Sequence, residues 1–240
     1  MLAAYGDVMP PVLVLVASPL LGPAAWRPLE QALRRAEWLT AVVAADGAVR
    51  TGSDVLGQML AGLPLRQEMV VLAHSNAGAY VPSLVTRRPI VSAVFIDAVL
   101  PAASGGLVPL AAPAFLDFLR DKADTDGLLP PWTRWWDEDD VASLFPDATT
   151  RALIEREQPR LPLSYFEGSV TAPAGWDNRP MAYLSFGDTY AAERADADHR
   201  GWPITTLAAG HLHTLHDPDQ VALELTALLS RLGVHAPVSD

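Results

Sequence analysis

The stretch MVVLAHSNAGAY, Met69 to Tyr80, decides how the rest of the chain is read. Met69 to Ala73 form a short, β-branched apolar run, as expected of a strand buried on both faces. The run stops at His74-Ser75-Asn76, and Ala77, Gly78 and Ala79 open a segment of helical composition. Strand, sharp turn and helix with a serine at the turn is the setting of a nucleophile elbow. Such a turn needs small residues two before and two or three after the serine, and Ala73, Ala77 and Gly78 stand there. Ala73 and Ala77 depart from strict glycine but meet the steric need. The turn would lift the Ser75 hydroxyl above the sheet edge and aim the Asn76 N–H at a developing oxyanion. A serine in this place can also be a plain helix cap, so the remainder of the chain must decide.

Upstream, Val12–Ala17 reads as a first buried strand, broken at Ser18-Pro19-Leu20-Leu21-Gly22-Pro23. A helix is predicted from about Ala24 to Trp38, with Trp26, Leu29, Leu33 and Ala36 at helical spacing. Thr40–Ala45 reads as a second strand ending at Asp46-Gly47, and Ser53 as the cap of a helix closed by Pro64. Past the elbow helix, Ala77 to about Thr86, the run Ile90–Ile96 is a fourth strand ending at Asp97-Ala98. Strand alternating with helix predicts a parallel sheet covered on both sides. Ligands then bind beyond the carboxyl ends of the strands, the edge where Ser18, Asp46, Ser75 and Asp97 would all lie.

From Pro101 to Asp177 the pattern lapses into helical pieces (Pro113–Lys122, Asp137–Phe145, Ala148–Gln158) separated by prolines, with no strong strand. This predicts an inserted helical cap over 101–178, set into a core of 1–100 and 179–240. Trp132, Trp135 and Trp136, three of the seven tryptophans, lie in it. They are read as cap core, with the alternative that one or two face an apolar substrate pocket. The sheet resumes at Met181–Phe186, followed by Gly187-Asp188 and a helix containing Ala191–Ala197. Pro203–Leu207 is the last strand, running into Ala208-Ala209-Gly210-His211-Leu212-His213, and a helix from Pro218 to Leu232 closes the chain.

Composition narrows the field. The chain has 240 residues, half of them apolar, enough for one sizeable core. A net charge of −11 argues against nucleic acid and anionic membrane partners. No apolar run near the start is long enough to span a bilayer, and no Lys or Arg precedes Arg27, so neither a membrane anchor nor a signal peptide is expected. With no cysteine, thiolate catalysis and disulfides are excluded and a cytoplasmic location is the default expectation.

A serine nucleophile needs a base, and the base needs a carboxylate to hold its tautomer. His211 would arrive at the same edge as Ser75. The stretches VLVLVASPLLGPAAW, MVVLAHSNAGAY, AVFIDAVLP, YLSFGD and AAGHLHTLHDP together resemble an α/β-hydrolase from about residue 10 to 232. The order serine, acid, histidine is that of the family. The resemblance matches Ser75 to the nucleophile and His211, directly after a glycine, to the base; His213 and His216 are its rivals. His74, next to Ser75 on a strand, should point to the opposite face and pack under the elbow. His199 and His235 read as surface residues.

The acid stays open. The family most often places it after the strand read here as MAYLSF, three residues past a glycine, but three past Gly187 is Tyr190. Asp188 is near but displaced. Some lipases carry the acid one strand earlier, and Asp97 in FIDAVLP resembles that arrangement. Asp97 is the preferred acid, with Asp188 as the alternative. The oxyanion hole would take one N–H from Asn76. The resemblance places the other after the first strand, where Ser18-Pro19-Leu20 replaces the usual His-Gly. Proline has no N–H, so Leu20 is the expected donor. His213 joins Trp132, Trp135 and Trp136 as a candidate pocket residue. No metal set and no phosphate-cradling loop emerges, and no cofactor is expected.

These readings converge on an α/β-fold serine hydrolase with a helical cap. It would cleave an ester, thioester or lactone of a small-to-medium apolar molecule. The alternatives are a lyase, cyclase or epimerase using the same residues for proton transfer, and a ligand-binding pseudo-hydrolase.

Overall fold

The computed structural model describes residues 10–46 and 48–237; Gly47, expected to end the second strand, lies outside them. Six parallel strands build the central sheet: β1 (Val12–Val16), β2 (Thr40–Val43), β3 (Met69–Ser75), β4 (Ile90–Ala98), β7 (Met181–Phe186) and β8 (Ile204–Leu207), in the order β2-β1-β3-β4-β7-β8. Two further strands, β5 (Gly106–Pro109) and β6 (Ser169–Ala172), pair antiparallel in a separate sheet.

The helices are α1 (Arg27–Arg35), α2 (Gly52–Gly62), α3 (Val81–Val85), α4 (Pro113–Lys122), α5 (Glu138–Ser143), α6 (Ala148–Glu155), α7 (Leu163–Phe166), α8 (Ala191–His199), α9 (His213–His216) and α10 (Pro218–Arg231). Alternate residues of each central strand serve opposite cores. Leu13, Leu15, Val70, Leu72, Val94 and Ile96 pack with Leu29 and Leu33 of α1 and Leu225 and Leu229 of α10. Val14, Val16, Val71, Ala73 and Phe95 face the other way, onto α2, α3 and part of residues 101–178. This two-sided burial is why the strands read as unbroken apolar runs.

Strand order reverses between β1 and β3, the place where such sheets open a crevice. The loop after β1 and the elbow after β3 are therefore neighbours.

The observed elements differ from the expected ones where local chemistry is finer than periodicity. Helix α2 is capped by Thr51, not Ser53. The Thr51 side chain accepts from the Asp54 N–H and Asp54 accepts from the Thr51 N–H, a full capping box. The elbow helix starts as a 3-10 turn, Asn76–Tyr80, and only α3 is α-helical, with Pro82 in its first turn. Residues 101–178 carry α4 to α7 but also β5 and β6, which were not expected there. These strands have four residues each, and β5 is largely exposed, so neither shows the apolar run that announces a buried strand. Among the described residues no helix is long and apolar enough to cross a membrane.

Gly78 meets the tightest steric demand at the elbow. A Cβ there would lie 2.1 Å from the Val99 carbonyl oxygen and 3.2 Å from the Ala98 Cβ. The Val99 N–H in turn donates to the Ser75 carbonyl at 3.1 Å, so neither backbone can yield freely. Gly78→Ala is expected to destabilise the fold by about 1–3 kcal/mol. Urea unfolding should show a lower midpoint with an unchanged slope; an unchanged midpoint would show that the turn relaxes.

Candidate active site

Ser75 ends β3 at φ 58°, ψ −131°, outside the basins open to most residues, and is nearly buried. That backbone is the sharp strand-to-helix turn expected of MVVLAHSNAGAY. Asn76 follows at the N-terminus of the 3-10 turn. Its side chain is fixed from α7. Tyr165 of α7 donates to Asn76 Oδ1 at 2.7 Å, and Tyr80 must then donate to Tyr165 at 2.8 Å.

Asp97 stands at a bulge. His74 pairs with Ile96 and Ser75 with Ala98, so Asp97 has no residue opposite it, and its φ is 41°. The bulge turns its fully buried side chain toward β7 and the loop after β8. Oδ1 accepts the Phe186 N–H at 3.0 Å, and Oδ2 lies 2.6 Å from His211 Nδ1. A carboxylate only accepts, so Nδ1 carries the proton and Nε2 is left with its lone pair free. Asp188 lies elsewhere: its side chain is 89% exposed and pairs with Arg194 at 3.4 Å. Between the two acids weighed in sequence, the geometry joins Asp97 to His211. Asp46, also expected at this edge, is exposed.

The β1 loop departs from expectation. Leu20 N–H donates to Ser18 Oγ at 3.3 Å, so the donor expected for the oxyanion is engaged within its own turn. The Ser-Pro replacement for His-Gly creates this bond, because a serine two residues ahead can accept from the chain.

Two contacts were missed by sequence reasoning. Tyr190 Oη lies 3.5 Å from Ser75 Oγ, and its ring sits 5.6 Å from that of His211. Tyr190 was noted only as the non-acid three past Gly187. Tyr183 of β7 donates to the Ala98 carbonyl at 2.6 Å and accepts the Ala98 N–H at 3.0 Å, which clamps the strand just past Asp97. Nothing in MAYLSF singles out that tyrosine from an ordinary core residue.

His74 lies under the elbow as expected, in edge contact with Trp26, but it also stacks on His211 with ring centroids 4.5 Å apart. Its Nε2 donates to the His211 carbonyl at 3.0 Å. Burial, reinforced by the neighbouring His211, pushes the His74 pKa down to about 3, so the ring stays neutral.

A cavity of about 250 Å³ opens beside His211, lined also by Trp132, Trp136, Val141, Leu144 and Thr189. Two of the three expected pocket tryptophans are therefore there. Trp135 is not: it is buried against Phe115 and Phe166, its N–H bonded to the Pro130 carbonyl. His213 is not either; it lines a separate cavity of about 290 Å³ and contacts Gln220. Among the described residues no cluster of three or more His, Asp or Glu side chains is gathered as a metal site requires.

No known family profile and no curated protein sequence matches the chain. Solved structures do. An extracellular α/β-hydrolase from a Paenibacillus species, described as sharing homology with tobacco salicylic acid binding protein 2, superposes with a TM-score of 0.68 at 17% identity, covering 93% of this chain and 99% of that one. Polyneuridine aldehyde esterase gives 0.64 at 16%, with the same coverage. A methylesterase from Arabidopsis gives 0.60 at 14%, covering 92% and 100%. The chain has the α/β-hydrolase fold.

The neutral His74 links stability to pH. Its folded pKa lies below the ordinary 6.5, so the unfolded chain binds more protons between 6.5 and 3, and stability falls as pH drops through that window. Between pH 6.5 and 5, this group should cost up to about 1.4 kcal/mol per unit. In His74→Gln, which keeps a donor for the His211 carbonyl, denaturant unfolding should lose much of that slope. Equal slopes in both proteins would refute the assignment.

Proposed function

We propose that the chain is a serine hydrolase that cleaves an ester, thioester or lactone of a small-to-medium apolar molecule through an acyl-enzyme. One observation carries the reading: the buried Asp97 Oδ2 lies 2.6 Å from His211 Nδ1, which leaves Nε2 to act as the base, at the same sheet edge as a serine on a strained elbow. In this reading Ser75 Oγ attacks the carbonyl carbon while its proton passes to His211. The Asn76 N–H stabilises the oxyanion. His211 then gives the proton to the leaving group, and a water deprotonated by His211 releases the acyl group. Trp132 and Trp136 give the cavity beside His211 its apolar walls, which suits an apolar substrate of modest size. The structural neighbours described as esterases agree with this chemistry at the level of fold.

The second reading is proton-transfer chemistry without hydrolysis, as in a lyase, cyclase or epimerase. The engagement of Leu20 N–H by Ser18 favours it, because hydrolysis would be left with fewer oxyanion donors.

The readings part on Ser75. Under hydrolysis, fluorophosphonate should add once to wild type and not to Ser75→Ala or His211→Gln, as read by intact-protein mass. Across an ester and thioester panel, Ser75→Ala should lose nearly all turnover and Asp97→Asn on the order of 10⁴-fold in kcat. A folded wild type that resists even a small fluorophosphonate, or a Ser75→Ala variant with full turnover, would remove the nucleophile and leave the proton-transfer reading.

A further inference from the structure

We propose that Tyr190 is a catalytic residue of this site, whose phenolic O–H donates a hydrogen bond to the leaving-group oxygen as the ester bond breaks. The proposal rests on the ester-cleaving reading above and adds to it the group that serves the departing alcohol.

Three observations place it. First, Tyr190 touches the nucleophile and faces the base at once, with Oη 3.5 Å from Ser75 Oγ and its ring 5.6 Å from the His211 ring. Second, the sheet order puts Tyr190 on a defined side. The β1 loop with Ser18 and Leu20 lies on one flank of β3; the loops after β7 and β8, which carry Tyr190 and His211, lie on the other. A carbonyl attacked by Ser75 with its oxygen toward Asn76 and the β1 loop directs its other oxygen toward His211. The tyrosine shares that flank. Third, the cavity beside His211 is lined by Thr189, the residue before Tyr190, so the loop that carries the phenol borders the space an alcohol would leave through.

The phenol has the right protonation for the task. Burial pushes its pKa up to about 12, with the Ser75 hydrogen bond opposing and the Asp97 and Glu193 charges reinforcing. At neutral pH it is a donor and does not compete with His211 as a base.

The step balances without any further reactant. The Ser75 Oγ–carbon bond forms and the Ser75 proton moves to His211 Nε2. The carbon–oxygen bond to the alcohol breaks, its electron pair stays on the leaving oxygen, and that oxygen takes the proton from His211. Tyr190 keeps its own proton throughout and stabilises the charge on the leaving oxygen before that proton arrives. A nitrophenolate needs little of this help, whereas an alkoxide needs much.

The test compares wild type with Tyr190→Phe on two acetate esters of the same acyl group, benzyl acetate and p-nitrophenyl acetate. Rates are taken per site titrated with fluorophosphonate, so any loss of folded protein cancels. The expected result is a kcat/KM for the benzyl ester lowered ~10- to 100-fold and for the nitrophenyl ester less than ~3-fold, the size of one hydrogen bond to a charged oxygen. Equal losses on both esters would show that Tyr190 only positions Ser75, and a gain would show that it blocks Ser75; either overturns the proposal. A wild type that neither labels nor turns over either ester removes the hydrolase reading and this proposal together. A labelled wild type with equal losses removes this proposal alone.

Discussion

The site depends on a carboxyl group held in a place that does not favour one. Asp97 is wholly buried, at a bulge near the end of β4, with positive φ. Desolvating a carboxylate is costly, and the site persists only because each oxygen has a partner. Phe186 of β7 supplies a backbone N–H and His211 an imidazole N–H. Tyr183 holds both backbone groups of Ala98, so the bulge cannot slide back into register. One residue therefore ties β4, β7 and the loop after β8 together. Losing one partner of such a buried pair typically costs about 3–5 kcal/mol. His211, the proposed base, is thus held by a bond that also ties the strands together.

His211 is fixed from a second direction by His74. The two rings stack, and the His74 N–H takes the His211 carbonyl. Asp97 sets the tautomer of the imidazole, while His74 sets where the backbone carrying it lies. The elbow residue just before Ser75 so reaches the loop after the last strand, and Ser75 and His211, the proposed nucleophile and base, are linked through one short piece of chain. A neutral His74 suits this, because a charged ring would repel the proton that His211 takes up in the proposed mechanism.

Most of this was legible where steric or periodic demands are strong. The strands follow from runs such as Val12–Val16 and Met69–Ala73, because burial on both faces leaves no room for polar residues. The elbow follows from small residues around Ser75, and α4 from Pro113 to Lys122 was read to the residue. What escaped depends on which atoms meet across the fold. The capping hydroxyl of α2 was misplaced because Thr51 and Ser53 are both plausible until Asp54 chooses Thr51. Strands β5 and β6 escaped because each has only four residues and β5 is largely exposed. Trp135 and Trp136 are neighbours in sequence, yet one is core and the other edges the cavity, since the chain bends there, just past a short 3-10 turn. The bond from Leu20 N–H to Ser18 needs only residues on the page of the sequence, but its consequence for oxyanion geometry needs the turn.

The position of the acid also explains what the β7 loop is free to carry. In the resemblance read from sequence, the site three past Gly187 commonly holds the carboxylate that orients the histidine. Here the histidine is already served from β4, and a second carboxylate beside the buried Asp97 would be repelled. A neutral residue is therefore favoured there. Tyr190 stands there, its ring beside that of His211 and its hydroxyl 3.5 Å from the Ser75 hydroxyl. With the acid on β4, the bulge at Asp97 carries the carboxylate, and the β7 loop on the same flank of β3 brings a neutral hydrogen-bond donor to Ser75. The same shift that makes the acid hard to find in the sequence leaves the position three past Gly187 to Tyr190.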